Sequence, residues 1–360
     1  GFFNKINTSS DFDKVISPRN RFANYLLFFY SLIKFDVFVF SFNGGFLGTT
    51  LWSSIEGPIL KLFSKKVIVI PFGADFYEYS YIIDVARRHS LMSVYPQFGT
   101  DTFGAKRRTD YWVRYSDAIV PGHLIEGLSR WDVTHCNPII TNVDATDNIS
   151  KNYVSSGQKG EIPVKILHVT NHDLIKGTEY IEHIITLLKN EGLNIEFELL
   201  RGVQNKIVQQ KMSESDILID QINSGYALSA IEGMANRCVV LSNITRPYYY
   251  DFLLQYSFMD ECPIVSVNFK DLFSQLKILI KNPDLRKNLS LAAKEYAMKY
   301  HSYSSGVEMF EAIIDYFEDR LTRTQLINYY HPLIGVNAKN NVNKIKHPLT
   351  DKKKVIDPSF

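Results

Sequence analysis

The residue best suited to anion chemistry is Lys176. It stands in the run Lys176-Gly177-Thr178, which follows a predicted strand ending at Thr170 and opens an amphipathic helix. The first N–H groups of a helix have no intrahelical acceptors, so this turn combines backbone donors with a cation and suits a diphosphate. A lysine beside a helix N-terminus is electrostatically unfavourable unless an anion offsets it, which adds weight to a binding role. The alternative, a solvated loop lysine, stays open on this pattern alone.

A second charged candidate is Glu232, in the run SGYALSAIEGMA that begins at Ser224. A predicted strand leads through a glycine-containing turn into a helix whose first or second turn carries this carboxylate. A carboxylate there can accept hydrogen bonds from two vicinal hydroxyls, as on a ribose, while the N–H groups at the helix start face phosphates. The alternative is that Glu232 only complements the helix dipole, and for an isolated glutamate we favour that alternative.

Strands and helices alternate along the chain. Runs of β-branched and aromatic residues predict strands at 36–42, 67–70, 117–120, 164–169, 195–200, 217–220, 238–241 and 264–267. Between them lie helical patterns, such as the apolar residues Ile181, Ile184, Ile185 and Leu188, which share one helix face. Alternation of this kind is typical of parallel-sheet α/β proteins.

The polar, Gly/Ser-rich stretch 146–163 has the composition of a linker and predicts a domain boundary. The pattern of strands and helices restarts after it. We therefore predict one Rossmann-like domain at 1–155, a second at 156–305, a C-terminal helix at 306–325 and a polar tail at 326–360. The predicted fold class is α/β, with two doubly wound domains.

Composition narrows the function classes. The 360 residues include 40 basic and 38 acidic side chains, and a net charge of +2 gives no reason to expect a nucleic-acid partner. Three widely spaced cysteines indicate neither a disulfide framework nor a zinc knuckle. Polar residues interrupt the apolar stretch 22–42, which we interpret as a buried helix and strand rather than a membrane span. No secretion signal is visible, so we expect a cytoplasmic protein, in part at the inner face of the membrane.

Several motifs are absent. There is no GxGxxG after a strand, no GxxxxGK[ST] and no GxSxG, which argues against a dehydrogenase, a P-loop ATPase and an α/β-hydrolase. Asp11-Phe12-Asp13 imitates a metal-binding DxD motif but does not close a strand. His168 and His172 are spaced as in a zinc site, yet on a strand end rather than a helix. We expect no metal site and no cofactor.

Three blocks together resemble the C-terminal domain of GT-B glycosyltransferases, in particular glycosyltransferase family 4. They are Lys176-Gly177-Thr178, the run SDILIDQINSGYALSAIEGMANRCVVLSN, and the run DLRKNLSLAAKEYAMKYHSY. The resemblance implies two Rossmann-like domains facing each other across a cleft, with the C-terminal helix crossing back to the N-terminal domain.

The resemblance also implies roles for individual residues on the donor side. Lys176 would bind the diphosphate of a nucleotide sugar, and Glu232 would bind its ribose. Ser224 occupies the place of the first glutamate of the family's E-x7-E motif, and His172 stands near the place of a basic residue. The remaining donor-binding candidates are Gly177, Thr178, Gly202, Gly225, Tyr226, Ala227 and Leu228.

The N-terminal half resembles the acceptor domain of the same family in its runs DVFVFSFNGGF, KKVIVIPFGADF and SDAIVPGHLIEGLSRW. The loops after these strands should face the cleft, because ligands of open α/β sheets bind at the carboxyl ends of the strands. Asp75 would orient an acceptor hydroxyl, and with Lys176 and Glu232 it completes the predicted catalytic set. The alternative for Asp75 is a capping loop aspartate. The other acceptor-side candidates are Asn43, Gly44, Gly45, Gly73 and His123.

The implied activity is transfer of a sugar from a nucleoside-diphosphate sugar to a hydroxyl of a glycan or lipid-linked glycan, with retention and without metal. Basic clusters in the N-terminal half, at 65–66, 87–88 and 106–108, suggest peripheral contact with anionic lipid. One alternative is a catalytically weak GT-B scaffold that binds a glycan or a partner protein. Others are a nucleotide-sugar isomerase and a two-lobed solute-binding protein.

Overall fold

The structure is a computed structural model. It describes residues 21–71, 75–100, 102–122, 125–143, 161–223, 225–245, 254–256 and 258–336, and also 146, 151, 153, 157, 338, 349 and 354–356. The chain forms two compact units, the first made of Gly1–Phe76 and Arg107–Ile119, the second of Tyr77–Lys106 and Val120–Phe360. Residues 77–106 and 120–155 therefore lie in the second unit, although their sequence position suggested the N-terminal domain. The predicted boundary at residue 155 between the two Rossmann-like domains stays a prediction.

The first unit is built on a small parallel sheet. Its elements are α1 (Arg21–Lys34), β1 (Val37–Phe40), α2 (Glu56–Leu62), β2 (Lys66–Val69), the part of α4 (Thr102–Tyr115) from Arg107 onward, and β3 (Ala118–Ile119). The strand order is β1-β2-β3, and both strand pairs are parallel. Asp117 closes the sheet at one end, where its carboxylate accepts a hydrogen bond from the Val67 N–H at 2.7 Å and contacts the Lys61 ammonium at 2.6 Å.

The second unit contains a larger parallel sheet. Its elements are α3 (Val85–Val94), β4 (Val164–Thr170), α5 (Asp173–Lys176), α6 (Thr178–Asn190), β5 (Ile195–Arg201), α7 (Asn205–Glu214), β6 (Ile217–Ile219), α8 (Leu228–Ala235), β7 (Val239–Ser242), α9 (Phe258–Glu261), β8 (Val265–Ser266), α10 (Leu272–Lys281), α11 (Pro283–His301), α12 (Tyr303–Phe317) and α13 (Arg323–Ile327).

The order of the strands in this sheet is β5-β4-β6-β7-β8, and every pair is parallel. The chain runs from β4 outward to β5 and then returns to the other side of β4 with β6. The order therefore reverses beside β4, and in open α/β sheets the crevice at the carboxyl ends of such strands is where ligands bind.

Both faces of the larger sheet are covered. In β6, Ile217 and Ile219 face one apolar cluster and Leu218 faces the other, as the two-residue period of a strand requires. Helices α6 and α10 pack on the first face, and α8 and α11 pack on the second. Strands buried on both sides read as continuous apolar runs, which is why the sequence pattern located them well.

The described strands confirm the predicted parallel α/β class. The apolar stretch 22–42 forms the predicted helix and strand, but it is not buried throughout, since Phe22, Leu26 and Ile33 are exposed while Phe28 and Leu32 are buried. The apolar residues of α1 lie on more than one face of the helix. The sequence pattern therefore could not identify the face that packs against the rest of the unit. No helix of the described residues is both long enough and apolar enough to cross a bilayer.

The C-terminal region differs from the predicted polar tail. Leu349 and Ile356 are buried in the apolar cluster of α6 and α10, and they form an isolated β-bridge with each other. The Ile356 N–H donates to the Gln275 side chain at 2.7 Å, and the Ser266 N–H donates to the Lys354 carbonyl at 2.7 Å. These residues therefore belong to the core of the second unit.

Gly177, between α5 and α6, provides a test of this packing. Its φ is +76°, and a Cβ there would overlap the side chain of Ile222 after β6. Gly192 has a similar φ of +87° but open space around it. We expect Gly192→Ala to lower the free energy of unfolding by about 1 kcal/mol through backbone strain alone, and Gly177→Ala by a further ~1–3 kcal/mol through overpacking. Urea unfolding of both variants checks this, and equal losses would contradict the tight contact.

Candidate functional site

The carboxyl ends of β4 and β6 bring Lys176 to a buried carboxylate. The Lys176 ammonium lies 2.7 Å from the Asp220 carboxylate, which follows β6, and 2.9 Å from the hydroxyl of Ser229 in the first turn of α8. Ser229 in turn donates to the same Asp220 oxygen at 2.5 Å. The Asp220 side chain is fully buried and that of Lys176 is 16% exposed. The Lys176 ammonium is thus fixed beside β4, where the strand order reverses, and its side chain is partly exposed to solvent.

The local structure around Lys176 corrects one prediction. Lys176 does not open the amphipathic helix, because residues 173–176 already form the short helix α5, and Gly177 separates it from α6. The lysine is the last residue of α5, where the helix dipole favours a cation. The anion that offsets its charge is Asp220 of the protein itself, a partner 44 positions away that the local pattern did not identify.

The start of α8 supplies backbone donors beside this cation. Ala227 is extended, and its N–H lies 3.4 Å from the second oxygen of Asp220. Leu228 and Ser229 are the first residues of the helix, so their N–H groups have no intrahelical acceptor. The Leu228 side chain is exposed. Of the ammonium's three donors, two are used by Asp220 and Ser229, which leaves one N–H without an acceptor in the described part of the chain.

Glu232 lies one turn beyond Ser229 on α8, in the second turn of the helix as predicted. It is buried, and it accepts a hydrogen bond from the Asn205 amide at 2.9 Å. Burial raises the pKa of Glu232 above its ordinary value, while hydrogen bonds from Asn205 and Gln209 and the charge of Lys176 lower it in part. Lys176 and Glu232, predicted to meet, are therefore near enough to interact.

The turn before α8 is held by its backbone and by buried side chains. The Gly225 carbonyl accepts from the Gln221 amide at 2.9 Å and from the Ser242 hydroxyl at 2.5 Å. The Tyr226 side chain is buried in the core, 3.4 Å from the His301 ring nitrogen. Any contact of these two residues with a ligand is thus left to their backbone atoms. Ser224, the third predicted residue of this turn, lies outside the described residues.

Thr178 and His168 form a buried pair beneath the site. The His168 Nδ1 lies 2.7 Å from the Ile219 carbonyl and its Nε2 lies 2.9 Å from the Thr178 hydroxyl. Because a carbonyl only accepts, Nδ1 carries the proton and Nε2 accepts from Thr178. Burial lowers the pKa of His168 to about 4, so the ring is neutral near pH 7. The Thr178 hydroxyl is hydrogen-bonded to His168, so only the backbone of Thr178 can take its predicted part in donor binding.

His172 and Gly202 lie at the outer edge of the site. The His172 ring nitrogen Nε2 is 2.9 Å from the Tyr95 hydroxyl, a residue that follows α3. Gly202 follows β5 with a φ of +64°, and its N–H lies 3.3 Å from the Asn171 side chain. Both residues are exposed. Their predicted roles stay predictions.

The acceptor-side candidates Asn43, Gly44, Gly45 and Asp75 belong to the first unit. The Asp75 carboxylate is buried and accepts a hydrogen bond from the Phe42 N–H at 2.9 Å, a contact far along the chain that neither the local cap nor the catalytic role predicted, so that role stays a prediction. Asn43 is exposed, and Gly44 adopts a φ of +99° in the same loop. Gly45 leaves no room for a Cβ against Glu56. Gly73 and His123 lie outside the described residues.

Glu56 is a charged residue of the first unit that sequence reasoning missed. It is fully buried, and its carboxylate accepts from the Leu47 N–H at 3.2 Å. Burial raises the pKa of Glu56 to about 7, and backbone hydrogen bonds from 45–47 lower it in part. The carboxylate therefore fixes the loop that carries Asn43 to Gly45. Its position in the first turn of α2 was the only signal available in the sequence.

Comparison with known proteins finds matches among solved structures. The chain is similar to Staphylococcus aureus TarM in complex with UDP, fondaparinux and α-GlcNAc-glycerol, at 14% identity over 71% of this chain and 53% of TarM, with a TM-score of 0.45. It is similar to Acinetobacter baumannii MurG at 11% identity over 86% and 82% of the two chains, with a TM-score of 0.41. It is also similar to the glycosyltransferase SnogD of Streptomyces nogalater, at 10% identity over 81% and 80%, with a TM-score of 0.37.

The proteins matched are GT-B glycosyltransferases. This chain spans about half the length of TarM. No protein-family model matches the sequence, and comparison with curated proteins gives no match. Membership of glycosyltransferase family 4 stays a prediction from the sequence motifs.

The Lys176–Asp220 pair gives a first test at this site. Lys176→Met removes the cation and leaves the Asp220 carboxylate buried without a charged partner, so we expect a loss of about 3 kcal/mol in the free energy of unfolding. Adding Asp220→Asn to this variant should recover part of the lost free energy of unfolding, because the buried unpaired charge is then removed. Urea unfolding of the two single variants and the double variant measures the coupling, and strictly additive losses would show that the pair is not an energetic unit.

His168 gives a second test, by pH. Its folded-state pKa of about 4 lies below the ordinary 6.5, so between these values the unfolded chain binds a proton that the folded chain does not. Its contribution to stability is complete above pH 6.5 and is lost as the pH falls, by up to about 1.4 kcal/mol per pH unit. We expect His168→Gln to flatten the fall in stability between pH 6.5 and 4.5, as measured by urea unfolding. His183→Gln, on the exposed side of α6, is the control, and parallel curves for both variants would refute the assignment.

Proposed function

We propose that the chain is a glycosyltransferase that transfers a sugar from a nucleoside-diphosphate sugar to a hydroxyl group. The observation that supports the proposal is that Lys176 hydrogen-bonds Ser229 at the start of α8, the helix that carries Glu232, and that its charge lowers the pKa of that carboxyl. Ser229 contacts the Lys176 ammonium at 2.9 Å and precedes Glu232 by one turn of α8. A diphosphate beside the lysine would place the attached ribose toward the carboxylate.

The diphosphate would be bound by oriented hydrogen-bond donors. One N–H of the Lys176 ammonium points away from its two protein acceptors, and the N–H groups of Leu228 and Ser229 open α8 beside it. Because Asp220 already offsets the charge of Lys176, the lysine would serve chiefly as a fixed donor. Charge developing on the leaving diphosphate is stabilised best by donors that are in place before the reaction. In this proposal the site needs no metal ion.

The ribose would be bound by Glu232. A carboxylate has about four lone-pair positions, and Asn205 and Gln209 use two of them. Two positions are then left for two vicinal hydroxyls. Asn205, which contacts Glu232, begins the helix that follows β5. Gly202, three residues before it at the end of β5, would therefore lie by the base attached to the ribose.

The acceptor proposal rests on sequence resemblance. A hydroxyl of a glycan or lipid-linked glycan would be bound by the loops of the first unit, where Asn43 is exposed and Gly44 bends the chain. The same proposal includes retention of the anomeric configuration. It also includes contact with anionic lipid and a location at the inner face of the membrane. Asp75 is the weakest member of the catalytic set because its carboxylate already binds the Phe42 N–H.

Two other functions can be distinguished from a transferase by measuring nucleoside diphosphate release and acceptor glycosylation. A scaffold would bind a nucleotide sugar without consuming it, and the ion pair that offsets the Lys176 charge is the observation in its favour. An isomerase would convert the nucleotide sugar without releasing a nucleoside diphosphate. Release of nucleoside diphosphate together with a glycosylated acceptor occurs only in a transferase.

The experiment is a thermal-shift screen of the full chain against nucleotide sugars, because a ligand that binds only the folded state raises the unfolding temperature. UDP, the nucleotide in the TarM structure, is a first probe. We expect the Lys176→Met/Asp220→Asn variant to bind the best nucleotide at least about tenfold more weakly, since it loses a charge-assisted hydrogen bond without leaving a buried charge. Lys189→Met, at the exposed end of α6, is the control.

Release of nucleoside diphosphate from the donor identified in this way is then measured with and without EDTA. We expect an unchanged rate with the chelator, because the donors named above do the work of a metal ion. Absence of binding across the screen, or equal binding by the double variant, would remove the proposed site. Loss of activity in EDTA would remove only its metal independence.

A further inference from the structure

The carboxylate of Glu232 is held by two amides of one helix. The Asn205 amide nitrogen donates to Glu232 Oε1 at 2.9 Å, and hydrogen bonding from the Gln209 side chain, one turn further along the helix, also lowers the pKa of the carboxyl. The two residues stand four apart on α7, so they lie on the same helix face. We call them the amide pair. Neither residue belongs to the motifs that pointed to Glu232.

The orientation of Gln209 is itself fixed from α8. Asn236, which ends that helix, donates from its amide nitrogen to the Gln209 oxygen at 2.7 Å and to the Glu232 carbonyl at 2.8 Å. With its oxygen occupied by Asn236, the Gln209 amide presents its nitrogen to Glu232. Asn236 is 2% exposed, so this contact is shielded from competing water. A buried relay of amides therefore sets the direction of one carboxylate.

Few charges among the described residues act on Glu232. Lys176, at the end of α5, lowers its pKa, and Asp220, after β6, is paired with that lysine. From α7 the groups that contact the carboxylate are the two neutral amides. A neutral amide donor stabilises the ionised form of a buried carboxyl without cancelling its charge. The carboxylate thus keeps its capacity to accept hydrogen bonds from a ligand.

We propose that the amide pair, Asn205 and Gln209, positions Glu232 so that its two remaining lone-pair directions accept the vicinal hydroxyls of a nucleotide ribose. The inference rests on the proposed function and deepens it, since it assigns positioning residues and the ribose selectivity to α7. A ribonucleotide satisfies the carboxylate completely. A 2′-deoxyribonucleotide leaves one buried acceptor direction unpaired, which lowers affinity.

Loss of either amide should change the pH dependence of binding. Burial already raises the pKa of Glu232, and the amides are the first causes that lower it. Without one of them the carboxyl binds its proton at higher pH. A protonated carboxyl accepts fewer hydrogen bonds, so ribose binding should weaken first at low pH and recover as the pH rises.

The test measures the affinity of the full chain for UDP and for GDP, each with its 2′-deoxy counterpart, between pH 5.5 and 8.5 by calorimetry. We expect Asn205→Ala and Gln209→Ala to bind the ribonucleotide more weakly than the unaltered protein, by about tenfold at the low-pH end of this range and by progressively less as the pH rises. Both variants should also lose most of the preference for ribose. Asn205 is exposed at the start of α7, so its replacement should leave the fold intact.

Gln210→Ala is the matched control, because Gln210 is the neighbouring glutamine and its amide contacts Glu214 instead, at 3.1 Å. Its pH curve should overlie that of the unaltered protein. If the unaltered protein binds ribonucleotides but the Asn205 and Gln209 variants show the same pH curve and the same ribose preference, the amide pair has no positioning role. If the unaltered protein binds no nucleotide of the thermal-shift screen, the proposed function itself fails, and this inference fails with it.

Discussion

The ion pair between Lys176 and Asp220 is the interaction on which the arrangement of the site depends. It joins the helix that follows β4 to the end of β6, the two strands beside which the sheet order reverses. Ser229 adds α8 to the same contact, and so carries Glu232 into position. A buried carboxylate tolerates its charge only with a cation and donors close by, so the sheet, the turn and the helix are required to meet at one point.

The site is built on strands of the second unit that are buried on both faces. Strands β4 and β6 are packed on both faces, and His168 ties them to the first residue of α6 through Ile219 and Thr178. The neutral histidine satisfies a carbonyl and a hydroxyl that would otherwise be buried without partners. Loops placed on such a frame can keep donors aligned before a ligand arrives, which is the main advantage of a preorganised polar site.

The sequence predicted the strands well, because strands buried on both sides leave continuous apolar runs, as around Leu218. It predicted donor-binding roles for Lys176 and Glu232 from the strand-to-helix segments that carry them, and those roles stay predictions. It could not identify Asp220 as the partner of Lys176 or Asn205 as the partner of Glu232, because these contacts join residues far apart in the chain. Nor did polarity reveal that Leu349 and Ile356 are core residues, since isolated apolar residues in a polar run carry no periodicity.

The second unit is discontinuous in sequence, and this affects how the protein can be divided into fragments. Tyr79 and Leu91 form an apolar cluster with the partly buried Ile175 next to Lys176, although they precede it by more than eighty positions. A fragment that begins in the polar stretch 146–163 lacks these residues and leaves Ile175 without its cover. A fragment that is to retain the lysine turn in its native form therefore has to include residues 77–106, joined by a substitute for the segment 107–119 that belongs to the other unit.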